Sequence, residues 1–212
     1  MKVLSVNVSR IRNVEHGGEL VPTGIFKVPV QGRVKATSEG LRGDAQADKV
    51  HHGGPDMAVY AFTQENYDHW ASVLHRTDLF PGKFGENLTV TGMPETEVCI
   101  GDRFRMGEIE VEVSVPRAPC FKLGIAVGDA TFPKAFLETG NVGFYLRVVK
   151  KGTVGAGDAI QRLHSDPAQL SVQEVIRLMY FRREDKAGAA RAAAVGALSE
   201  RWREKFQVRT SR

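Results

Sequence analysis

The sequence predicts a mostly β protein: a barrel-like body of short strands with a few short helices, followed by a small domain of three helices. Three observations lead there. Twenty of the 22 glycines lie before residue 171, so the body is rich in turns. Its apolar residues alternate over short runs, the period of a half-buried strand and not of a helix. Beyond Asp166-Pro167 the chain turns alanine-rich and carries helix-capping residues. The division predicts a β domain over residues 1–165 and a helical domain over 166–212.

Taken in order, Lys2 to Ser9 alternates and opens the body as a strand, and Gly24 to Val30 gives a second run broken by Pro29. Ala58 to Phe62 is apolar and β-prone. Thr63 is placed to cap a helix over Gln64 to Leu74, where Tyr67, Trp70, Val73 and Leu74 recur at helical spacing. A close succession of strands follows: Val98 to Ile100, Arg103 to Met106 and Ile109 to Val115, with Met106-Gly107-Glu108 as a hairpin turn. In the last of these, Ile109, Val111, Val113 and Val115 face one side and Glu110, Glu112 and Ser114 the other. Asp129 to Leu137 suits a short helix whose length Pro133 limits. Gly143 to Val149 and Asp158 to Leu163 complete the strands.

Many brief strands with glycine corners indicate a closed or nearly closed β-barrel. A Rossmann unit would need long helices between parallel strands, and the pattern has none. In the tail, Ser171-Val172-Gln173-Glu174 is a capping box that starts a helix running to about Tyr180. Ala187 to Leu198 forms the next, and Ser199 caps a third that carries Trp202 and Phe206. None is long enough to be stable alone, so the three need one another.

A chain of 212 residues can bury one sizeable core with a small appendage. No apolar run approaches the roughly 20 residues that span a bilayer, and the first residues alternate instead of forming a signal peptide. The expectation is a cytoplasmic protein with no membrane partner. The net charge of +4 and pI near 9.1 invite a nucleic-acid reading. Position along the chain weakens it: residues 171–212 hold ten Lys/Arg against five Asp/Glu, whereas residues 1–170 hold nineteen against twenty. The tail cations, among them Arg182, Arg183, Arg191, Arg201 and Lys205, alternate with acids and suit an ordinary charged helical surface. Nucleic acid is not the expected partner.

Only two cysteines are present, Cys99 and Cys120, which argues against a disulfide scaffold. Without a CxxC or His-x-x-x-His pattern, neither a structural zinc nor a protein-held iron–sulfur centre is expected. Cys99, between Val98 and Ile100, reads as a core residue. Cys120 lies in Val115-Pro116-Arg117-Ala118-Pro119-Cys120-Phe121-Lys122-Leu123, where two prolines stiffen the exit from a strand. Arg117 and Lys122 beside it favour a thiolate, the form that attacks electrophiles or binds a soft metal. A cysteine that merely fills apolar space fits the spacing equally well.

Two further segments carry polar chemistry. Residues 40–56 contain Asp44, His51, His52, Gly53, Gly54 and Asp56 immediately before an apolar strand, and long polar loops on rigid strands favour binding sites. Neither histidine has a second ligand at helical spacing, so a histidine-held metal is not supported. In Pro81-Gly82-Lys83-Phe84-Gly85-Glu86-Asn87-Leu88-Thr89 the glycines would expose backbone amides, Lys83 would balance phosphate charge, and Asn87 would bond a heterocycle or its own turn.

At these loops the chain resembles the MOSC family, named for the molybdenum-cofactor sulfurase C-terminal domain, and in particular its stand-alone YiiM-like branch. The resemblance runs through Gly40-Leu41-Arg42-Gly43-Asp44, His52-Gly53-Gly54-Pro55-Asp56-Met57-Ala58-Val59-Tyr60, Glu65, Trp70 and the Pro81 to Leu88 segment. It continues through Ile100-Gly101-Asp102, Pro116-Arg117-Ala118-Pro119-Cys120 and Gly143-Phe144-Tyr145-Leu146-Arg147, covering nearly the first 160 residues. The tail is similar to the three-helix domain appended to YiiM-like members.

The resemblance implies a barrel-like MOSC domain that binds a molybdenum-pterin cofactor of the molybdopterin type, with Cys120 as thiolate ligand to molybdenum. It implies that Arg117, Lys122, Gly53, Gly54, Gly85 and Asn87 surround the pterin and its phosphate. His52, Asp56 or Asp44 would position substrate or relay protons. The implied activity is reduction of small N-hydroxylated compounds, such as the hydroxylamino-purine 6-hydroxylaminopurine. The chain has no flavin motif, so electrons would come from a separate electron-transfer protein, flavodoxin- or ferredoxin-like, or from a flavin reductase. Two alternatives stand beside it: a sulfur- or cofactor-transfer protein with a persulfide on Cys120, and a non-enzymatic cofactor-binding module.

Overall fold

The structure, a computed structural model, describes residues 1–48 and 53–210. Strand β1 (Lys2–Val8) leads into a hairpin of β2 (Arg12–His16) and β3 (Glu19–Thr23), then the short strands β4 (Val28–Pro29), β5 (Arg33–Thr37) and β6 (Gly40–Leu41). Next, β7 (Val59–Thr63) passes into helix α1 (Gln64–Leu74), which returns to β8 (Leu88–Thr91). The following pair, β9 (Arg103–Met106) and β10 (Ile109–Pro116), gives way to helices α2 (Phe121–Val127) and α3 (Phe132–Thr139). The body ends with β11 (Phe144–Lys150), β12 (Gly152–Gly155) and β13 (Ile160–His164).

Eight of these strands hydrogen-bond in the order β13-β9-β10-β11-β7-β8-β1-β4. Only the β7–β8 pair among them is parallel, because α1 carries the chain back across the sheet. Thr63 caps α1 as expected, its Oγ1 accepting from the Asn66 N–H at 3.2 Å. Mostly β with short helices describes the body well.

The expected barrel closure is corrected. The outer edge of β1 is taken by β4 at Asn7↔Pro29 and Val8↔Val28, so only its first residues remain for β13. There the ends of the sheet meet at one bridge, Lys2↔Ala159, with the Val3 N–H donating to the Asp158 carbonyl at 2.9 Å. The sheet has no continuous closing ladder; its ends are fastened by backbone bonds between residues 1–3 and 157–160.

Other local expectations shift for identifiable reasons. Val98 to Ile100 is not a strand: Cys99 makes an isolated bridge to Ser171, and it is half-buried instead of a core residue. Burial, with Asp102 beside it, pushes the Cys99 thiol up. Pro133 opens α3 instead of limiting it, because in the first turn its missing N–H leaves no bond unmade. Both faces of β10 are covered: Glu112 and Ser114 are buried along with the apolar set. The Ser114 carbonyl accepts from the Ser199 N–H, docking the helical tail on that face.

The tail forms α4 (Val172–Ile176), a π turn over Arg177–Phe181, α5 (Lys186–Ala194) and α6 (Glu200–Thr210). Ser171 accepts from the Glu174 N–H at 3.1 Å, as the capping box predicts. Ser199 holds the cap position of α6, but its hydroxyl is buried and bonds to nothing among the described residues. Trp202 and Phe206 are buried in the same core as Ala189 and Ala192 of α5. Among the described residues no helix is long and apolar enough to cross a membrane.

Between α1, α3 and the sheet lies an aromatic core. Phe84 stacks on Phe132 with ring centroids 5.7 Å apart, and Trp70 meets Phe132 edge-on at 4.7 Å. Beside it, Glu95 is buried, its Oε1 accepting from Asn66 Nδ2 at 2.7 Å and the Gly143 N–H at 2.8 Å. Burial pushes its carboxyl up to about 7, against the pull of those donors. The folded protein therefore holds this proton more tightly than the unfolded chain. The resulting stabilisation is complete below the ordinary carboxylate range and is lost as pH rises through about 7. In urea titrations between about pH 4.5 and about pH 8, wild type should lose on the order of 2 to 3 kcal/mol relative to Glu95→Gln. Parallel pH profiles for the two proteins would contradict this.

Candidate active site

Segments spread between residues 23 and 145 meet at one open cleft. Its walls are residues 23–25 and Lys27 after β3, residues 44–48 after β6, Gly85 and Asn87 before β8, and Arg117, Ala118, Cys120 and Lys122 after β10. Tyr60 of β7 and Tyr145 of β11 line it as well. Of the residues expected from sequence, Cys120, Asp44, Arg117, Lys122, Gly85 and Asn87 are together here.

Asp44 holds the walls together. Its Oδ1 accepts from Lys27 Nζ at 2.5 Å and from the Ser9 N–H at 2.9 Å, and its Oδ2 accepts from Asn87 Nδ2 at 2.8 Å. Both partners of the Lys27–Asp44 pair are buried, with side chains 8% and 6% exposed. Burial pushes the Lys27 ammonium down, while Asp44 works against that shift. Asn87 extends the brace, its Oδ1 accepting from the Tyr60 N–H at 3.1 Å and its Nδ2 donating to the Asn7 carbonyl at 3.3 Å. With both oxygens engaged, Asp44 is a structural clamp.

The glycine loop serves the same frame. The Gly82 N–H donates to Glu86 Oε1 at 2.6 Å and the Gly85 N–H to the Gly82 carbonyl at 3.0 Å, so these amides point into the loop and cradle no phosphate. Gly85 has φ +85°, and a Cβ there would stand 2.8 Å from Ile25 Cγ1. Only glycine lets this loop close against residues 25–27.

Arg117 is the unusual group. It is 5% exposed, its guanidinium lies 5.0 Å from the centre of the Tyr60 ring and 5.5 Å from that of Phe136, and its Nη1 is buried with no hydrogen-bond partner among the described residues. Burial opposes its charge, but Tyr60, Tyr145 and Cys120 around it favour the protonated form, and the balance lies further toward it than usual. A buried cation normally has a carboxylate beside it, yet no ion pair joins Arg117 to one among the described residues. The cleft thus keeps a fixed positive charge for an anion brought from outside.

Cys120 adopts an extended backbone just ahead of α2, in no disulfide. Lys122 is half-buried and donates to the Pro22 carbonyl at 3.0 Å. Among the described residues no three His, Cys, Asp or Glu side chains converge to hold a metal. Among the described residues the cleft offers one sulfur, that of Cys120.

The remaining expected residues lie elsewhere. Asp56 accepts from Arg147 Nε at 2.9 Å and Nη2 at 2.6 Å, and Arg147 also pairs with Glu112 on the face of β10 that meets the helical tail. Gly53 does not line the cleft; Gly54, with φ +88°, opens the single helical turn over Pro55–Met57. His52 lies outside the described residues. Sequence reasoning missed Lys27, Tyr60 and Tyr145. A lone lysine between Phe26 and Val28 was the readable signal for the first.

The two aspartates should separate on mutation. Asp44→Ala leaves Lys27 buried and unpaired and should cost about 3–5 kcal/mol in urea unfolding. Asp56→Ala, whose carboxylate is about one-third exposed, should cost about 1 kcal/mol or less. Equal losses would contradict this placement.

Residues 48–161 match the family model of the MOSC domain, and residues 170–210 match that of the YiiM-like, 3-alpha helix domain. Over 210 residues the chain is 40% identical to the uncharacterized protein YflK of Bacillus subtilis (strain 168), covering 99% of this chain and 95% of that one. A protein named Reductase from Gibberella moniliformis is 36% identical over 181 residues, which are 82% of this chain and 32% of the fungal protein. The crystal structure of YiiM from Geobacillus stearothermophilus superposes with a TM-score of 0.84 at 32% identity, covering 99% of this chain and 98% of that one. The backbone fold is thus shared along nearly the whole chain, the three-helix tail included, and the chain belongs to the MOSC domain family, in its YiiM-like form.

Proposed function

We propose that this protein is an oxidoreductase that holds a molybdenum-pterin cofactor in the Cys120 cleft and reduces small N-hydroxylated compounds such as hydroxylamino-purines. One observation carries the reading: Cys120 shares its cleft with Arg117, a buried cation whose Nη1 has no partner among the described residues. A soft-metal ligand beside a guanidinium with an open Nη1 and no ion pair among the described residues suits a group that is metal at one end and anionic at the other. The fungal relative named Reductase supports the oxidoreductase class.

In this reading Cys120 Sγ ligates the metal, and Arg117 with Lys122 holds the anionic arm. Asp44 and Asn87 keep the cleft walls in place without touching the chemistry. Tyr145 lines the cleft, and burial keeps its phenol protonated, so its O–H is available to the oxygen that leaves. The cofactor, when bound, supplies acceptance of that oxygen: R–NHOH plus two electrons and two protons gives R–NH2 and water. The electrons come from a separate protein, flavodoxin- or ferredoxin-like, or from a flavin reductase.

The test is an anaerobic assay with a reduced electron carrier and 6-hydroxylaminopurine, using protein from a cofactor-competent host. Wild type should form the amine, and Cys120→Ala should lose about 100-fold or more of the rate. Failure of the loaded wild type to turn over, or a persulfide on Cys120 without turnover, would overturn the proposal.

A further inference from the structure

A second cleft, of about 280 Å³, opens where the three-helix tail meets the body. That is close to the lower end of ligand-sized sites, roughly 300 Å³. It shares Cys120, Asp48, Ala118 and Tyr145 with the first cleft, so the two adjoin at these residues. Its other wall belongs to the tail: Tyr180 from the π turn, and Arg201, Trp202 and Lys205 from α6. Tyr180 and Trp202 meet edge-on with centroids 6.3 Å apart, which fixes an aromatic corner. Arg201 and Lys205, one helical turn apart, are exposed and form no ion pair among the described residues. Two cations, Tyr180 and the largely buried Trp202 line a space that Cys120 also lines, and Asp48 is the sole acid lining it among the described residues.

We infer that this second cleft is the substrate site and that it takes a nucleoside monophosphate, its flat base in the aromatic corner toward Cys120 and its phosphate on Arg201 and Lys205. The inference rests on the reductase reading for its chemistry but not for its binding. A neutral base would gain from the rings alone; the paired cations of α6 add recognition only for a ligand carrying an anion. It also gives the tail a role, since no described residue beyond position 145 lines the first cleft. The three-helix domain builds the substrate half of the site.

Titration calorimetry of the full chain with adenosine monophosphate and with adenosine tests this, because neither probe can be reduced. Adenosine monophosphate should bind about tenfold or more tighter than adenosine. The exposed pair Arg201→Ala/Lys205→Ala should bring it down to the adenosine level while leaving adenosine unchanged. Equal binding of the two probes to wild type, no binding of either, or a double variant that still prefers the phosphate would overturn the inference. Those results leave the reductase assay unaffected, and a loaded enzyme inactive on N-hydroxylated bases would leave this binding readable.

Discussion

The cleft depends on a single buried carboxylate. Asp44 joins the end of β1 through Ser9, the segment before β4 through Lys27, and the loop before β8 through Asn87. These pieces are distant in sequence; backbone bonds from β1 to β4 and to Asn87 set them side by side, and Asp44 ties their side chains together. A buried ion pair gains little over a well-packed apolar one, but it is directional, and breaking it strands a charge. Asp44 accepts three donors along fixed directions, so it sets where each wall stands. Below it the Asn7, Thr89 and Glu86 chain continues the brace into the aromatic core.

Within that frame, Arg117 does the opposite of Asp44. It is charged and buried, but its counter-ion is not a side chain of the described residues. The Tyr60 and Phe136 rings lie within cation–π range of its guanidinium, which favours the charge without neutralising it. One buried charge is spent on architecture and the other is left for a ligand. Cys120 lies between the cleft that Arg117 lines and the cleft that the helical tail completes. A metal at this sulfur would face an anionic arm on one side and substrate on the other.

Much of this was legible in the sequence because local patterns decide it. The alternation of Ile109 to Val115 sets β10, Thr63 and Ser171 mark two helix starts, and the loss of glycine after residue 170 marks the change to helices. Polar loops with Cys120, Arg117, Asp44 and Asn87 were found because those residue types are uneconomical as plain connectors. What stayed hidden depends on contacts between distant segments. Whether the sheet closes is decided by β4 occupying the edge of β1, which no local pattern reports. Asp44 and Asp56 belong to one polar segment, yet one is buried under the cleft and the other is drawn to Arg147. Helix α2 is too short for periodicity to show, and the Arg12 to Thr23 hairpin was signalled only by Gly17-Gly18, both with positive φ.

The central claim is that Cys120 and Arg117 together form a site for a metal-bearing anionic cofactor. Its most direct test is the molybdenum and pterin content of protein purified anaerobically from a cofactor-competent host. Wild type should carry both in about equal amounts. Cys120→Ala should lose the molybdenum, and Arg117→Met, which keeps the buried volume but not the charge, should lose the pterin with it. Wild-type protein that folds normally and holds neither, or an Arg117→Met variant that retains both in full, would contradict the account.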